Sequence, residues 1–213
     1  MLKPNFVHPD PGMREDVGDY ALFVGRFSPE QKLLTLLEAW KKFRGIPLKL
    51  VGDRPQKGKI HQLVRGVGLE KVEFLGQRTR DQVFALMKKA YLLIFPSEWY
   101  ETFGLVLVEA FACGVPVVTA RLGAMAEIVE DGRTGLFFTP GDPDDLSAKV
   151  EWAFTHPQEM VQMGRRGRQE FEAKYTSDAN LEKLLNIYRL AIDRARGRTV
   201  GSPSGLDVST APH

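Results

Sequence analysis

Tyr91-Leu-Leu-Ile-Phe-Pro-Ser-Glu-Trp-Tyr-Glu-Thr-Phe-Gly-Leu-Val-Leu-Val-Glu-Ala-Phe-Ala-Cys-Gly-Val-Pro-Val-Val-Thr119 contains one complete folding unit. The apolar run Tyr91–Phe95 reads as a buried strand, and Pro96-Ser97 stops it. A loop leads to a helix from about Gly104 to Cys113, and Pro116-Val-Val-Thr119 is the next strand. Strands that are apolar on successive residues are covered on both faces. Two such strands joined by a helix predict a parallel pair with the helix crossing over.

The same alternation extends in both directions. Upstream, Tyr20–Val24, Leu48–Val51 and Val72–Leu75 read as strands closed by Gly25, Gly52 and Gly76. Between and after them fall helices over Lys32–Arg44, Lys57–Val67 and, capped by Thr79, up to about Ala90. Downstream come a short helix over Ala124–Glu130, a strand at Gly135–Phe138, and helices over Asp144–Phe154, Gln158–Lys174 and Ala179–Arg196. The predicted class is α/β: a single Rossmann-like, doubly wound parallel sheet of about six strands. Residues 1–18 carry Pro4, Pro9, Pro11 and Gly12 without periodicity and read as a linker-like segment. The domain proper is assigned to residues 19–196. Residues 197–213, rich in Gly, Ser, Pro and Thr, are expected to be disordered.

Bulk properties narrow the function. The chain has 213 residues, enough for a sizeable core without disulfides. Its net charge of +2 gives no case for nucleic acid. Cys113, the single cysteine, lies in an apolar run and reads as core packing. The four histidines lack metal-ligand spacing, so no metal and no cofactor are implied. Asp142-Pro-Asp144 reads as a helix cap with a proline start rather than a metal motif. The opening residues do not resemble a signal peptide and no run is long enough to span a membrane, so the expected location is cytoplasmic.

In a doubly wound sheet, ligands bind outside the carboxyl ends of the strands. That places Gly25-Arg26, Gly76-Gln77 and the loop before the Gly104 helix on one edge. Glu109 sits in a helix that is otherwise apolar, and a buried carboxylate requires a specific donor. Glu101 lies eight residues earlier, in the loop. Phe103-Gly104-Leu105 begin the helix, whose first free N–H groups suit a phosphate. Two carboxylates repel a phosphate, so they are expected to bind hydroxyls. Arg26 and Lys32 flank the first strand–helix turn. A first-turn lysine opposes the helix dipole unless an anion faces it. A cation 4 Å from a phosphate charge contributes about 4 kcal/mol before desolvation, at an effective dielectric near 20.

These residues strongly resemble the retaining GT-B glycosyltransferases of family four, which includes bacterial mannosyl- and glucosyltransferases. The features are Gly25-Arg26-Phe27 with Lys32, and Glu101 and Glu109 within Glu-Thr-Phe-Gly-Leu-Val-Leu-Val-Glu-Ala-Phe-Ala-Cys-Gly-Val-Pro. Thr102 stands where glycine is common in that family. The resemblance implies a hexosyltransferase that uses a nucleoside-diphosphate sugar as donor substrate, with retention and without a metal. By resemblance, Arg26, Lys32 and Glu101 are the catalytic residues. Arg26 and Lys32 would grip the diphosphate, Glu101 would lie beside the sugar, and Glu109 would bind ribose hydroxyls. The Phe103-Gly104-Leu105 backbone would contact phosphate or sugar, and Gly25, Gly76 and Gln77 would complete the donor site. Such enzymes have two Rossmann-like domains with the reaction between them. Pro4–Asp10 resembles the linker between those domains, so the expectation is a C-terminal donor half. It would be inactive without an N-terminal acceptor-binding domain from the full-length protein or a separate chain. Membrane-linked acceptors, common in the family, would allow peripheral contact with the inner membrane face. The competing reading is a stand-alone nucleotide or nucleotide-sugar binding module without catalysis of its own.

Overall fold

A computed structural model describes residues 4–27, 33–52, 69–97 and 102–195. Six strands are present: β1 Tyr20–Val24, β2 Leu48–Val51, β3 Val72–Gly76, β4 Ala90–Phe95, β5 Val117–Ala120 and β6 Gly135–Phe138. They form one sheet in the order β3-β2-β1-β4-β5-β6, and every pairing is parallel. The described helices are α1 Leu33–Trp40, α2 Arg80–Lys88, α3 Leu105–Ala112, α4 Ala124–Ile128, α5 Pro143–Thr155, α6 Pro157–Lys174 and α7 Ser177–Ala195. The expected helix over Lys57–Val67 lies outside the described residues.

Side chains on a strand alternate between faces, and here both faces are buried. Ala21 and Phe23 of β1, with Leu92 and Ile94 of β4, join a core beneath α1 and α5 that includes Leu36, Trp40, Leu146 and Val150. Tyr20, Leu22, Leu93 and Phe95 point the other way, into a core with Met87 of α2 and Val108 and Phe111 of α3.

Local chemistry sets where the helices begin and end. Thr79 forms a capping box with Gln82 at the start of α2. Asp142 Oδ1 accepts from the N–H groups of Asp144 and Asp145 at 2.9 and 3.0 Å, and Pro143 opens α5, as the sequence suggested. Asp142→Ala should cost about 1 kcal/mol. A thermal melt should show this as a midpoint lowered by about 2–4 °C. α1 stops at Trp40, short of the expected Arg44. Residues 41–43 turn with i→i−3 bonds, and Trp40 Nε1 donates to the Ile46 carbonyl at 3.0 Å, drawing the chain back toward β2.

Residues 4–18 contain no helix or strand, yet they are bound along the α2/α3 side of the body. The Val7 N–H donates to the Tyr175 carbonyl at 3.0 Å, and Val7 is buried. Asp10 takes a two-pronged contact from Arg168 of α6 at 2.7 and 2.8 Å. Arg14, 7% exposed, donates to the carbonyls of Ala90 and Tyr91 where β4 begins. Asn180 of α7 donates to the Pro4 carbonyl at 2.6 Å. The segment is a strap running from the carboxyl edge of the sheet to its amino edge.

Candidate functional site

The strand order reverses between β1 and β4, and a doubly wound sheet opens its ligand crevice at the carboxyl ends of that pair. Gly25 and Arg26 leave β1 there. Gly25 donates to the Val51 carbonyl at 3.0 Å, and Arg26 is exposed. β2 and β3 end on the same edge, where the Gly52 N–H donates to the Gly76 carbonyl at 3.1 Å. Gly76 has φ +71° and turns the chain outward, so that Gln77 lies exposed beside it.

Across the switch point, α3 begins at Gly104 in the left-handed conformation, φ +69° and ψ +50°. Glycine adopts this without the penalty a Cβ brings. As the N-cap, Gly104 supplies no side-chain acceptor, which leaves the leading N–H groups of α3 available to an anion. Leu105 is exposed, and Phe103 packs edge-on against Tyr175 at 6.0 Å. Lys32 and Glu101 lie outside the described residues.

Glu109 faces the start of α2. Its carboxylate is 14% exposed, and Arg80 Nε lies 3.6 Å from Oε1, an ion pair slightly longer than a direct hydrogen bond. Burial pushes the Glu109 pKa up, and Arg80 acts against that shift. The sequence implied that Glu109 needs a partner but did not name Arg80. A signal was present: Arg80 is the first residue of α2, where a cation opposes the helix dipole and therefore needs an anion nearby, the reasoning applied to Lys32.

Other groups take no part in this edge. The Cys113 thiol is fully buried, and burial pushes it up to about 12, so it is held as the neutral thiol. Among the described residues, no group of three or more His, Cys, Asp or Glu is placed to hold a metal. No described helix is long and apolar enough to cross a membrane. A cavity of about 720 Å³ lies at the far side of the sheet, between the start of β6 and the α5–α6 junction. Asp131, Trp152, Gln158 and Arg166 are among the residues lining it, and none of the candidate residues does.

The fold matches known proteins. The family described as Glycosyl transferases group 1 matches residues 13–170. The chain belongs to that family. An uncharacterized glycosyltransferase of Methanocaldococcus jannaschii is 34% identical over 173 residues, 80% of this chain and 48% of the relative. Among solved structures, sucrose-phosphate synthase from Thermosynechococcus elongatus superposes with a TM-score of 0.81 at 27% identity, covering 91% of this chain and 53% of that one. Anabaena HepE, solved in complex with UDP-glucose, superposes with a TM-score of 0.74 at 26% identity, covering 81% of this chain and 49% of its own. The chain thus spans about half the length of these curated relatives. Its sheet is that of the C-terminal domain of the GT-B neighbours.

Proposed function

We propose that the chain is the donor-binding half of a retaining glycosyltransferase and binds a nucleoside-diphosphate sugar at the β1/β4 crevice. The observation that carries this reading is that exposed Arg26, leaving β1, and the uncapped, glycine-started N-terminus of α3, following β4, both lie at the carboxyl ends of neighbouring parallel strands. The complex of HepE with UDP-glucose supports the donor class. In this reading the α3 N–H groups, Arg26 and Lys32 hold the diphosphate, and Glu109 accepts from the ribose hydroxyls. Glu101 stands beside the sugar, and the turn at Gly76-Gln77 faces the base. The bond from the anomeric carbon to the phosphate oxygen breaks, and the diphosphate departs with the electron pair. The acceptor oxygen bonds on the same face and passes its proton to the departing phosphate oxygen. Arg26 and Lys32 stabilise the charge that grows on the leaving group, so no metal is needed. Each ~1.4 kcal/mol realised only in the transition state is tenfold in rate.

An acceptor-binding half completes the enzyme in this proposal. The half-length match to relatives supports it, and so does α7. Leu181, Leu185, Tyr188 and Ile192 form an exposed apolar stripe along one side of that helix, beside the point where Pro4 joins the body. The reading carries with it a cytoplasmic location, with contact at the inner membrane face where the acceptor is membrane-linked.

Thermal melting with a panel of nucleoside diphosphates and their sugars tests the donor site. At 100-fold over Kd a bound nucleotide adds about 2.7 kcal/mol. The midpoint should then rise by about 5–11 °C. No rise with any nucleotide at millimolar concentration would remove the proposal. Nucleotide binding by a chain that never supports transfer, even with an acceptor-binding half present, would leave the stand-alone binding module.

A further inference from the structure

Arg80 is held from three directions. Its Nη1 donates to the His8 carbonyl at 2.6 Å, its guanidinium lies 5.2 Å from the centre of the Phe84 ring, and its Nε meets Glu109. Titratable groups on the elements around Glu109 include Arg80, Asp81 and Lys88 on α2, His8 and Asp10 on the strap, Arg168 on α6, Glu127 on α4, and Cys113 at the end of α3, and of these Arg80 is the one that acts against the effect of burial on Glu109. Arg168 is engaged with Asp10 and Glu172. Among the described residues, Arg80 is the cation that pairs with Glu109.

We propose that Arg80 is a positioning residue of the donor site: anchored by the His8 carbonyl and the Phe84 ring, it holds the Glu109 carboxylate charged and in place for the hydroxyls of the nucleotide. This rests on the donor reading given above. An ionised carboxylate accepts with both oxygens, the neutral acid turns one of them into a donor, and burial alone drives the group toward the neutral acid. Arg80 opposes that drive from a helix start whose dipole would otherwise disfavour a cation. The His8 contact also ties the strap to the same pair, so the segment leading into the domain and the donor carboxylate share one anchor.

Two readouts on the whole chain test this. The first is the titration of Glu109 in the free protein, followed by carboxyl carbon-13 NMR and assigned with Glu109→Gln. Arg80→Gln should move the Glu109 pKa further up, and Arg80→Lys should restore most of the wild-type value. The second is affinity for UDP, or for whichever nucleoside diphosphate gives the largest melting shift, measured calorimetrically from pH 5 to 9. Binding is lost as pH falls through the Glu109 pKa, so in Arg80→Gln the loss begins at a higher pH. One pH unit below its shifted Glu109 pKa, where about a tenth of the carboxylate is ionised, the variant should bind about tenfold more weakly than it does at high pH. Well above the shifted pKa it should approach the wild type. An unchanged Glu109 titration, or an equal loss of affinity at every pH, would overturn the positioning role. A wild-type chain that binds no nucleotide would instead sink the donor site itself. Folding is checked by melting, with Arg80→Met in place of the glutamine variant should that one fail to fold.

Discussion

Gly52→Ala should lower the melting midpoint by about 6–12 °C and weaken nucleotide binding by about tenfold or more. β2 ends at Val51, and Gly52 passes directly over the chain leaving β1. A Cβ on Gly52 would lie 1.8 Å from the Gly25 carbonyl oxygen and 3.2 Å from the buried Phe27 ring. The first obstacle is backbone, so no rotamer change relieves it. Two strand ends must separate by more than an ångström, breaking the Gly25–Val51 and Gly52–Gly76 bonds that draw β1, β2 and β3 together at this edge. Overpacking of this kind costs about 3 kcal/mol, at the upper end of its usual range. For a domain of this size each kcal/mol moves the midpoint by about 2–4 °C. The same displacement shifts Gly25 and Arg26 relative to the α3 N-terminus, which couples the stability loss to the proposed donor site. Gly45→Ala is the control, because an added Cβ there meets nothing within 4 Å. A Gly52→Ala chain that melts and binds like Gly45→Ala would show that the β1 and β2 ends yield freely, and the crevice would lose its rigid wall.

How much of this was legible in the sequence depends on the range of the interaction. The strands were legible because burial on both faces leaves continuous apolar runs, and the Asp142 and Thr79 caps were legible because their partners lie two or three residues away. Strand order was not, since periodicity states which face a residue occupies and not which strand lies beside it. The end of α1 was missed because the bond from Trp40 to Ile46 draws the chain into a turn while the apolar period continues to Phe43. The strap was the least legible part. Prolines and charges without a period describe a solvated linker equally well, and what holds Val7, Asp10 and Arg14 is distant in the chain. At the site, the start of α3 near Gly104 and the need for a partner to Glu109 were legible. Arg80 emerged only when α2 and α3 were set side by side.

Arg14→Ala should produce the other large effect, although Arg14 lies at the opposite edge of the sheet from the crevice. The residue is 7% exposed, and its guanidinium has no carboxylate among its described contacts. Burial lowers its pKa to about 10, so it remains a cation at neutral pH. The cost of burying that charge is offset by donation from Nη1 to the Ala90 carbonyl at 2.6 Å and the Tyr91 carbonyl at 3.2 Å, at the amino end of β4. The Arg14 N–H adds a bond to the Cys113 carbonyl at the end of α3, at 2.9 Å. Truncation removes the donor and leaves both carbonyls in a space that alanine does not fill, at a cost of about 3 kcal/mol. A denaturant titration should show that loss as a lower midpoint with an unchanged slope. Arg14→Met fills the space without donating and should recover little. Arg14→Lys restores the charge and one donor and should recover roughly half. Equal stability of the methionine variant and the wild type would mean that Arg14 acts by packing alone. The distinction bears on function because, besides its contacts through Pro4, Val7 and Asp10, the strap is held by Arg14 at the amino edge and by Arg80 on His8 at the carboxyl edge. With Arg14 gone, the strap keeps its hold beside Glu109 but loses its seat against β4. Local opening of residues 10–18, read by hydrogen exchange, should therefore precede global unfolding in Arg14→Ala and coincide with it in the wild type.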